Sequence, residues 1–584
     1  MAQKQQDKRT LYLNREGILS CCFARDISGQ YHLDYWDRTV KINLSKVIRR
    51  LQKMAYRILK KKWFLYLTEF FSGMSVMAVE LGASRLLAPY FSSSQIVWTI
   101  IIGTIMIAMA AGNLYGGKAA DKNADPARLY KRILVAALWI AAIPAVGKYI
   151  VLGISALLIF TINSGYLIAA AFASCLLLFV FPLFLLGTVT PALIKTTVSS
   201  LDESGAVAGR LSACNTLGSI LGTFLPTFVT IPAVGTSITF LIFAAILLVI
   251  ALCFFISEKG FCRQAGIGTA VFLLCLLFGR SSSFAFWEQN LIYEGESVYN
   301  YLQVREDDRQ VVLSTNVLFG VQSVKMKGGG LTGMYYDYAL AAPVMSAGND
   351  APAVLVLGNG TGTYANQCRE YFSQSSVEGV EIDAAITDLA GRYFDFPEDI
   401  PVTEYDGRAF LSSCSTQYDV ILVDAYQDIT IPFQMSSKEF FTLVKSHLKE
   451  GGILAVNLNM HGDSESSINR FLCDTISAVF PYVCTMEVPF STNLMLYASG
   501  SEDPARLLSA NLQKLPDGEL KMLLQKVPAS LSPYTPGTHL LTDDKAPVEL
   551  LGMRMIDSLI EEELGYYKAI YRAGGLRSLI DALL

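Results

Sequence analysis

The 584-residue sequence predicts two folds in series, a multi-span α-helical membrane domain and an α/β domain built on a doubly wound, mostly parallel sheet. Three observations predict them. The chain is too long for one hydrophobic core. Charged residues make up only 17% of it, and they are sparse between Ile96 and Phe255. From Pro352 onward, short apolar runs alternate with helical segments, which is typical of a covered parallel sheet.

The membrane domain is predicted from its apolar runs, because about 20 such residues can cross a bilayer as a helix. A seventh run, 266–278, is short enough to be interfacial or buried. We therefore expect six to eight spans in a domain of residues 63–280, preceded by a cytoplasmic segment of residues 1–62. The six longer runs are 63–83, 96–115, 133–152, 166–194, 211–231 and 238–256.

Lysine and arginine cluster at 57–62 and 118–132 and recur at Lys195 and Arg210. Cytoplasmic loops of membrane proteins are enriched in these residues, so the N-terminus is predicted to be cytoplasmic. An even number of spans would return the C-terminal half of the chain to the cytoplasm. Seven spans would place it outside.

Three ionisable residues, Glu69, Glu80 and Arg85, lie within or beside the first predicted span. Such groups are costly in a bilayer and usually face a bundle interior or a watery cavity. Two interpretations fit this sequence. The three residues line a path for a substrate or an ion, or they form a structural cluster by pairing with one another.

The α/β domain is assigned to residues 281–555, and a tail of amphipathic helices to 556–584. Its strands are read from continuous apolar runs and its helices from the segments between them. The last two runs, 483–489 and 494–498, suit a closing hairpin. The predicted strands are 353–357, 377–382, 401–405, 418–423 and 452–458, and the predicted helices are 364–372, 384–393, 407–412 and 437–448.

Glycines and acidic residues follow these strands where each one ends. Gly358, Gly360 and Gly362 follow the first, and glycine lets a ligand approach the backbone closely. Glu381 and Asp383 follow the second, about 20 residues later, where an acid can bind ribose hydroxyls. Ligands of such sheets bind past the carboxyl ends of the strands. The pattern therefore indicates a nucleoside site.

Two further strand ends support this interpretation. Asp406 and Gly407 follow the third strand, and Asp424 follows the fourth. Each acid also has a plainer interpretation. Asp406 suits a turn before a glycine, Asp383 a helix N-cap, and Asp424 a cap at a strand end. The four strand ends taken together favour a shared ligand site over four separate caps.

Other site classes are disfavoured by composition. The net charge is −4 and no basic stripe appears, so we expect no nucleic-acid partner. The four histidines form no ligand pair, and the eleven cysteines are scattered without a CxxC pair, as for reduced buried thiols. We therefore predict no metal and no permanently bound cofactor.

Several motifs resemble the spermidine synthase (polyamine aminopropyltransferase) family, in its membrane-fused bacterial branch. The similarity is collinear over about 200 residues, and LTGMYYDY, DAYQDITIPFQMSSKEFF and LTDDKAPVE are its most specific parts. The resemblance implies a Rossmann-like, methyltransferase-like fold for the second domain. The other matching motifs are VLVLGNGTG, VEGVEID, YDGRAF, YDVILVDAY and GGILAVN.

The resemblance also implies an activity. The aminopropyl group of decarboxylated S-adenosylmethionine would move to putrescine or a similar amine, giving spermidine and methylthioadenosine. Asp424 would be catalytic. Because this cosubstrate belongs to the cytoplasm, we expect the catalytic domain there, on an inner (cell) membrane. The donor-site residues would be Gln303, Gly358, Gly360, Gly362, Glu381, Asp383, Asp406 and Gly407, and the amine-site residues would be Gln322, Tyr336, Asp337, Tyr426 and Asp428.

The sequence departs from the family pattern in the glycine loop. Thr361 stands where soluble spermidine synthases have an acid, and Asp337 is the candidate to replace it. The departure keeps other functions open: a methyltransferase using intact S-adenosylmethionine, or a non-catalytic sensor or transporter that binds a polyamine or nucleoside. Small-molecule substrates and membrane lipid are the expected partners, and the C-terminal tail suits packing or self-association in a homodimer.

Overall fold

The computed structural model describes residues 62–575 with short gaps, and of residues 1–61 only the backbone of five short strands. The predicted site residues Tyr426 and Asp428 and most of the 556–584 tail lie outside the described residues. The strands are β1 (Leu11–Leu13), β2 (Leu19–Cys21), β3 (Ala24–Arg25), β4 (Tyr31–Tyr35) and β5 (Arg38–Ile42). The gaps are 92–93, 124, 160–161, 163–164, 199–202, 258–261, 281–282, 318–320, 347–350, 426–430, 459–466, 555–564 and 566–567.

A helix bundle follows. Five helical stretches of the described chain are long and apolar enough to cross a membrane. Two are compound: a stretch over Tyr166–Thr197, and a 54-residue stretch over Ser204–Ser257. The helices are α1 (Lys62–Phe91), α2 (Gln95–Lys122), α3 (Pro126–Ile159), α4 (Tyr166–Cys175), α5 (Phe181–Gly187), α6 (Val189–Thr197), α7 (Ser204–Leu225), α8 (Ile231–Ser257) and α9 (Cys262–Gly279).

The 54-residue stretch is two antiparallel helices. At 1.5 Å per residue a straight helix would be roughly 80 Å long, far more than a bilayer core of about 30 Å. Gly235, with φ +80° and ψ 168°, breaks it. Counted as two passes, it brings the long apolar passes to six, and the 18-residue α9 adds a seventh.

Small residues bring α7 against α1. A Cβ on Gly218 would lie 1.9 Å from the carbonyl oxygen of Phe70, and one on Gly222 would lie 2.1 Å from that of Met74. Helix backbones approach this closely only where glycine removes the side chain. Gly218 and Gly222 therefore let α7 and α1 pack at close range.

The three ionisable residues of α1 do not pair with one another in the described chain. Glu69 is fully buried, and its Oε1 accepts hydrogen bonds from the hydroxyl of Thr190 (2.5 Å) and the amide of Asn215 (2.8 Å). Arg85 instead donates to the carbonyl oxygen of Val298, outside the bundle. The mutually paired cluster considered from the sequence is not formed.

Two sheets, with helices between and around their strands, follow the bundle. A four-stranded antiparallel sheet comes first, in the order β6-β7-β8-β9. It was not predicted. An eight-stranded sheet follows, in the order β12-β11-β10-β13-β14-β16-β15-β17. Its first five strands are parallel and its last three antiparallel. The strands are β6 (Leu291–Glu296), β7 (Tyr301–Glu306), β8 (Gln310–Ser314), β9 (Ser323–Met326), β10 (Ala353–Leu357), β11 (Ser376–Glu381), β12 (Val402–Glu404), β13 (Tyr418–Val423), β14 (Leu448–Leu458), β15 (Tyr482–Glu487), β16 (Leu494–Ser499) and β17 (Ser532–Pro533).

The larger sheet is covered on both faces. Alternate residues of β10 enter different cores: Val354 and Val356 pack with Tyr364, and Leu355 and Leu357 pack with Phe440. This is the doubly wound arrangement predicted from the continuous apolar strands. The helices are α10 (Tyr335–Ala339), α11 (Ala341–Met345), α12 (Thr363–Tyr371), α13 (Ala384–Tyr393), α14 (Gly407–Ser413), α15 (Lys438–Ser446), α16 (Ile468–Ser477), α17 (Pro504–Asn511), α18 (Glu519–Leu524) and α19 (Val527–Ser530).

Candidate active site

A cavity of about 260 Å³ opens at the carboxyl ends of the parallel strands. Strands β10, β11, β12 and β13 end side by side there, since they are neighbours in the sheet. Residues that are far apart in the sequence therefore meet at one rim. The predicted residues that line the cavity are Gln322, Tyr336, Gly358, Gly360, Glu381, Asp406, Gly407 and Asp424.

The glycine loop after β10 has the backbone geometry that only glycine adopts freely. Gly358, Gly360 and Gly362 have φ values of +87°, +55° and +84°. A Cβ on Gly358 would lie 2.6 Å from the carbonyl oxygen of Asp424. The first glycine is thus required both for the turn and for the close approach of β13 to the loop.

We expect the substitution Gly358→Ala to destabilise the folded protein by about 1–3 kcal/mol, because it combines a strained φ with a backbone overlap. The measurement is thermal unfolding of the full chain in detergent. Gly391→Ala is the matched control: Gly391 lies within α13, and nothing lies within 4 Å of its added Cβ. That variant is expected to gain about 0.5–1 kcal/mol. Equal melting temperatures for the two variants would contradict the requirement for glycine at position 358.

Glu381 is the last residue of β11, and its carboxylate accepts hydrogen bonds from the backbone. Its Oε2 accepts a hydrogen bond from the N–H of Gly360 (2.8 Å), and its Oε1 accepts one from the N–H of Asp383 (3.1 Å). Burial raises the pKa of Glu381, and the backbone donors of Asp383 and Gly360 oppose that rise. The N–H of Ile382 acts on this carboxylate in the same direction.

Asp406 caps a helix and lines the cavity at the same time. It is the N-cap of α14, since its Oδ1 accepts a hydrogen bond from the N–H of Ala409 (2.9 Å). It also lines the cavity, and its Oδ2 faces the side-chain amide of Gln434 at 3.4 Å. Capping uses one oxygen and leaves the other at the cavity.

Asp424 lies just past the end of β13, with a donor on each oxygen. Its Oδ2 accepts a hydrogen bond from the Tyr335 hydroxyl (2.7 Å), and its Oδ1 accepts one from the Asn457 amide (2.9 Å). Asn493 in turn donates to Asn457 Oδ1 (2.8 Å) and fixes that amide. The contacts point the carboxylate into the cavity in one orientation.

Burial raises the pKa of Asp424 to about 7. The hydrogen bonds from Asn457 and Tyr335 oppose that rise, and the nearby charge of Glu381 adds to it. A carboxyl group with a pKa near 7 is suited to accept a proton at neutral pH. Such a shift in a cavity is typical of functional acids and bases.

Four predicted residues do not line the cavity. Asp337 accepts hydrogen bonds from the backbone and hydroxyl of Thr332, the backbone of Gly333 and the amide of Gln367. Its carboxylate is therefore occupied by these donors. The others are Gln303, Gly362 and Asp383.

Asp383 does not line the cavity but binds Asn300, a residue of its wall. It is the N-cap of α13, as one interpretation of the sequence held. Its Oδ2 also accepts hydrogen bonds from the Ser297 hydroxyl (2.6 Å) and the Asn300 amide (2.9 Å). Gln303 is likewise buried and donates to the carbonyl oxygen of Asn316 (2.8 Å).

Sequence reasoning missed several residues of the site. Tyr299, Asn300 and Tyr405 line the cavity, and Asn457 holds Asp424. Only Asn457 gave a signal, as the polar residue near the end of the apolar run of β14. The wall formed by Tyr299 and Asn300 belongs to the unpredicted antiparallel sheet, which no pattern of alternating strands and helices reveals.

Comparison with known proteins identifies the family. The family profile Spermine/spermidine synthase domain matches residues 334–509. A protein of Bifidobacterium longum described as a probable polyamine aminopropyl transferase is 48% identical over 349 residues, which are 57% of this chain and 78% of that protein. The chain belongs to the polyamine aminopropyltransferase family. It is therefore an aminopropyltransferase enzyme of polyamine biosynthesis, as the resemblance implied.

More distant members of the polyamine aminopropyltransferase family match as well. That of Oceanobacillus iheyensis is 27% identical over 299 residues, 47% of this chain and 57% of that protein. The crystal structure of spermidine synthase from Thermotoga maritima is 19% identical, with a TM-score of 0.32, covering 47% of this chain and 87% of that one. The fold is assigned from the strand order itself.

Proposed function

We propose that the protein transfers the aminopropyl group of decarboxylated S-adenosylmethionine to putrescine or a similar diamine. The observation that supports this proposal best is the meeting of Glu381, Asp406 and Asp424 at one cavity beside the glycine loop. No metal or permanent cofactor takes part in the proposed reaction. The donor is a cosubstrate that is consumed in each turnover.

The nucleoside part of the donor would bind at the ends of β11 and β12. In this proposal Glu381, which lines the cavity, accepts hydrogen bonds from the ribose hydroxyls. Asp406 accepts one from the adenine amino group. Gly358 and Gly360 let the loop backbone lie against the nucleoside, while Gly407 leaves room at the start of α14.

Three of the predicted donor-site residues act indirectly in this proposal. Gly362 gives the glycine loop its last left-handed turn. Asp383 fixes Asn300 in the cavity wall, and Gln303 fixes the backbone at Asn316. Each is a positioning residue.

The amine would bind beside Asp424, with Gln322 and Tyr336 bordering it. An alkylammonium group has a pKa of about 10 and no free lone pair, so the attacking nitrogen must first lose a proton. Asp424 is placed to orient the amine and to accept that proton. Tyr336 is itself fixed by donating to the carbonyl oxygen of Gln322 (2.7 Å).

The transfer step is an in-line displacement. The amine nitrogen forms a bond to the methylene carbon next to sulfur as the carbon–sulfur bond breaks. The bonding pair moves to the sulfonium, which leaves as the neutral thioether of methylthioadenosine. The amine proton passes to Asp424. Since the leaving group needs no further activation, alignment in the cavity is the main task of the protein.

The glycine loop bears on which S-adenosyl donor the protein selects. Thr361 is buried and does not line the cavity, so the loop offers no acid to the free amine of a decarboxylated donor. Intact S-adenosylmethionine, used for methyl transfer, is therefore the competing donor.

We expect the purified full chain in detergent to bind decarboxylated S-adenosylmethionine and methylthioadenosine in calorimetry, and to yield spermidine from putrescine by mass spectrometry. Spermidine should form with the decarboxylated donor and not with the intact one, because only the decarboxylated donor carries an aminopropyl group. Tight binding of the intact donor alone, with S-adenosylhomocysteine as product, would show a methyltransferase instead. Binding of the nucleosides without turnover of any amine would indicate a sensor.

The helix bundle would hold the enzyme in a membrane. Five long apolar stretches have the length and composition for this, and many of their large apolar side chains are exposed, including Met106, Ile107 and Leu114. Exposed apolar surface of this kind requires a lipid environment or a protein partner. We assign the boundaries between the membrane and catalytic domains as predicted from the sequence, at residues 62, 280 and 555.

A further inference from the structure

The catalytic domain contacts one end of the helix bundle. Near the end of α1, the carbonyl oxygen of Pro89 accepts a hydrogen bond from the N–H of Val317 (3.1 Å), and Arg85 donates to Val298. At the start of α2, the N–H of Gln95 donates to Glu549 (2.6 Å). Since α1 is 30 residues long, its first residues lie roughly 45 Å away, at the other end of the bundle.

The direction of the next passes follows from their packing on α1. Gly218 and Gly222 lie against Phe70 and Met74, in the same order along both helices, so α7 runs parallel to α1. At the turn after it, the N–H of Thr236 donates to Glu296 of the catalytic domain (2.6 Å). The chain therefore reaches the catalytic end of the bundle at Gly235.

Helix α8 then returns to the far end. Phe240 packs on Gly82, and Phe254 stacks on Tyr130 with ring centroids 4.3 Å apart. Tyr130 also stacks on Phe64, near the first residue of α1. The order along α8 is thus opposite to that along α1.

Helix α9 makes the seventh pass. A Cβ on Gly268 would meet Leu134, and one on Gly279 would meet Pro144, so α9 runs parallel to α3. Helix α3 starts at the far end, where its Tyr130 stacks on Phe64. Its Lys148 donates to the carbonyl oxygen of Ser283 at the catalytic end (2.8 Å). Seven passes separate the N-terminal end of α1 from the catalytic domain.

The two ends of the bundle differ sharply in charge. Nine Lys and Arg residues of the described chain lie at the far end: Lys62, Lys118, Lys122, Arg128, Lys131, Arg132, Lys195, Arg210 and Arg263. The described residues of the turns at the catalytic end, which are Ser94, Ile162, Gly165 and 226–235, include no Lys or Arg. Three basic residues of the described passes lie nearest that end, namely Arg85, Lys148 and Arg280. Arg85 and Lys148 both bind backbone carbonyls of the catalytic domain.

We propose that the catalytic domain, with its cavity, lies on the extracytoplasmic face of the membrane. The basic ends of a bundle face the cytoplasm, and the seven passes put the cavity on the opposite side. This reverses the expectation of a cytoplasmic catalytic domain, which assumed an even number of spans. The inference deepens the proposed function, on which it rests for the identity of the substrates.

An extracytoplasmic site has a consequence for the order of reactions. The diamine would be drawn from outside the cell, and spermidine would be released there. The S-adenosyl donor, a product of nucleotide chemistry in the cytoplasm, would have to be carried across the bilayer before this step. A transport step for a nucleoside sulfonium must therefore precede the transfer.

The test compares two protease sites in the otherwise unchanged chain, expressed in bacterial spheroplasts. One is inserted after Ser491, in the hairpin turn of the catalytic domain beside the fully exposed Phe490. The matched site is inserted between Lys122 and Pro126, at the basic end. We expect added protease to cut only the first in intact spheroplasts and both after permeabilisation. Protection of the Ser491 site until permeabilisation would overturn the proposal.

A second measurement uses turnover as the readout. In right-side-out vesicles, donor and putrescine added outside should be converted at nearly the rate seen after detergent. A rate that rises more than about tenfold with detergent would overturn the extracytoplasmic assignment. Activity absent in detergent as well would instead count against the proposed function, while the protease result would still report the side.

Discussion

The variant Asp424→Asn should lose catalysis while it keeps the nucleoside site. We expect kcat to fall on the order of 10²- to 10⁴-fold, the range for removing a general base. Methylthioadenosine affinity in calorimetry should stay within about threefold, because Asp424 is placed at the amine end of the cavity. Asparagine has nearly the same shape, so the expected loss comes from the missing proton acceptor.

The pH profile separates this role from a structural one. The pKa of Asp424 is about 7, and only the ionised form can accept a proton. Activity at a saturating donor concentration should therefore rise with pH through about 7, and fall as the carboxylate is protonated below it. The amine, with a pKa of about 10, adds a further rise at higher pH. The limb near 7 should disappear in Asp424→Asn.

Asp419→Asn is the matched control, because Asp419 lies on the same strand at its opposite end. Its Oδ2 accepts hydrogen bonds from the N–H of Ala353 (2.7 Å) and from Lys449 (2.8 Å), and it does not line the cavity. We expect its kcat to stay within about twofold of the parent enzyme. If Asp424→Asn were as active as Asp419→Asn, the proton-acceptor role would be excluded.

The parallel sheet was predictable because its signals are local. Strands β10 and β13 and helix α13 begin and end where the sequence placed them, and β11, β12 and β14 differ by a few residues. Each has a continuous apolar run bounded by glycine or acidic residues. The four-stranded sheet over residues 291–326 was missed because its strands pair with one another and cover one edge of the domain, so their apolar runs are short.

The site was predictable where residues follow a strand directly. Glu381, Asp406 and Asp424 share a rim because β11, β12 and β13 are in one parallel sheet, and the ends of such strands must meet. Asp337 and Asn300 could not be placed in this way. Their positions depend on packing between separate elements, which the sequence pattern does not encode. The sequence left the crossing of α9 open for a related reason: whether this helix crosses depends on its neighbours, not on its 18 residues alone.

The variant Glu381→Gln should lose donor affinity with little change in the chemical step. The carboxylate is proposed to hold both ribose hydroxyls, and charge-assisted hydrogen bonds contribute about 1.5–3 kcal/mol. We therefore expect methylthioadenosine to bind roughly 10- to 100-fold more weakly in calorimetry. At a saturating donor concentration kcat should fall much less, because Glu381 is placed at the nucleoside end of the cavity and not at the amine.

The same strand supplies the control for this prediction. Glu378 is also on β11, but its carboxylate accepts a hydrogen bond from the Tyr418 hydroxyl (2.9 Å) away from the cavity. Glu378→Gln should leave methylthioadenosine affinity within about twofold of the parent value. Unchanged affinity in both variants would show that ribose is held elsewhere. A loss in Glu381→Gln alone ties the nucleoside to the end of β11, because Glu381 is the last residue of the strand, whereas Glu378 lies in its interior and away from the cavity.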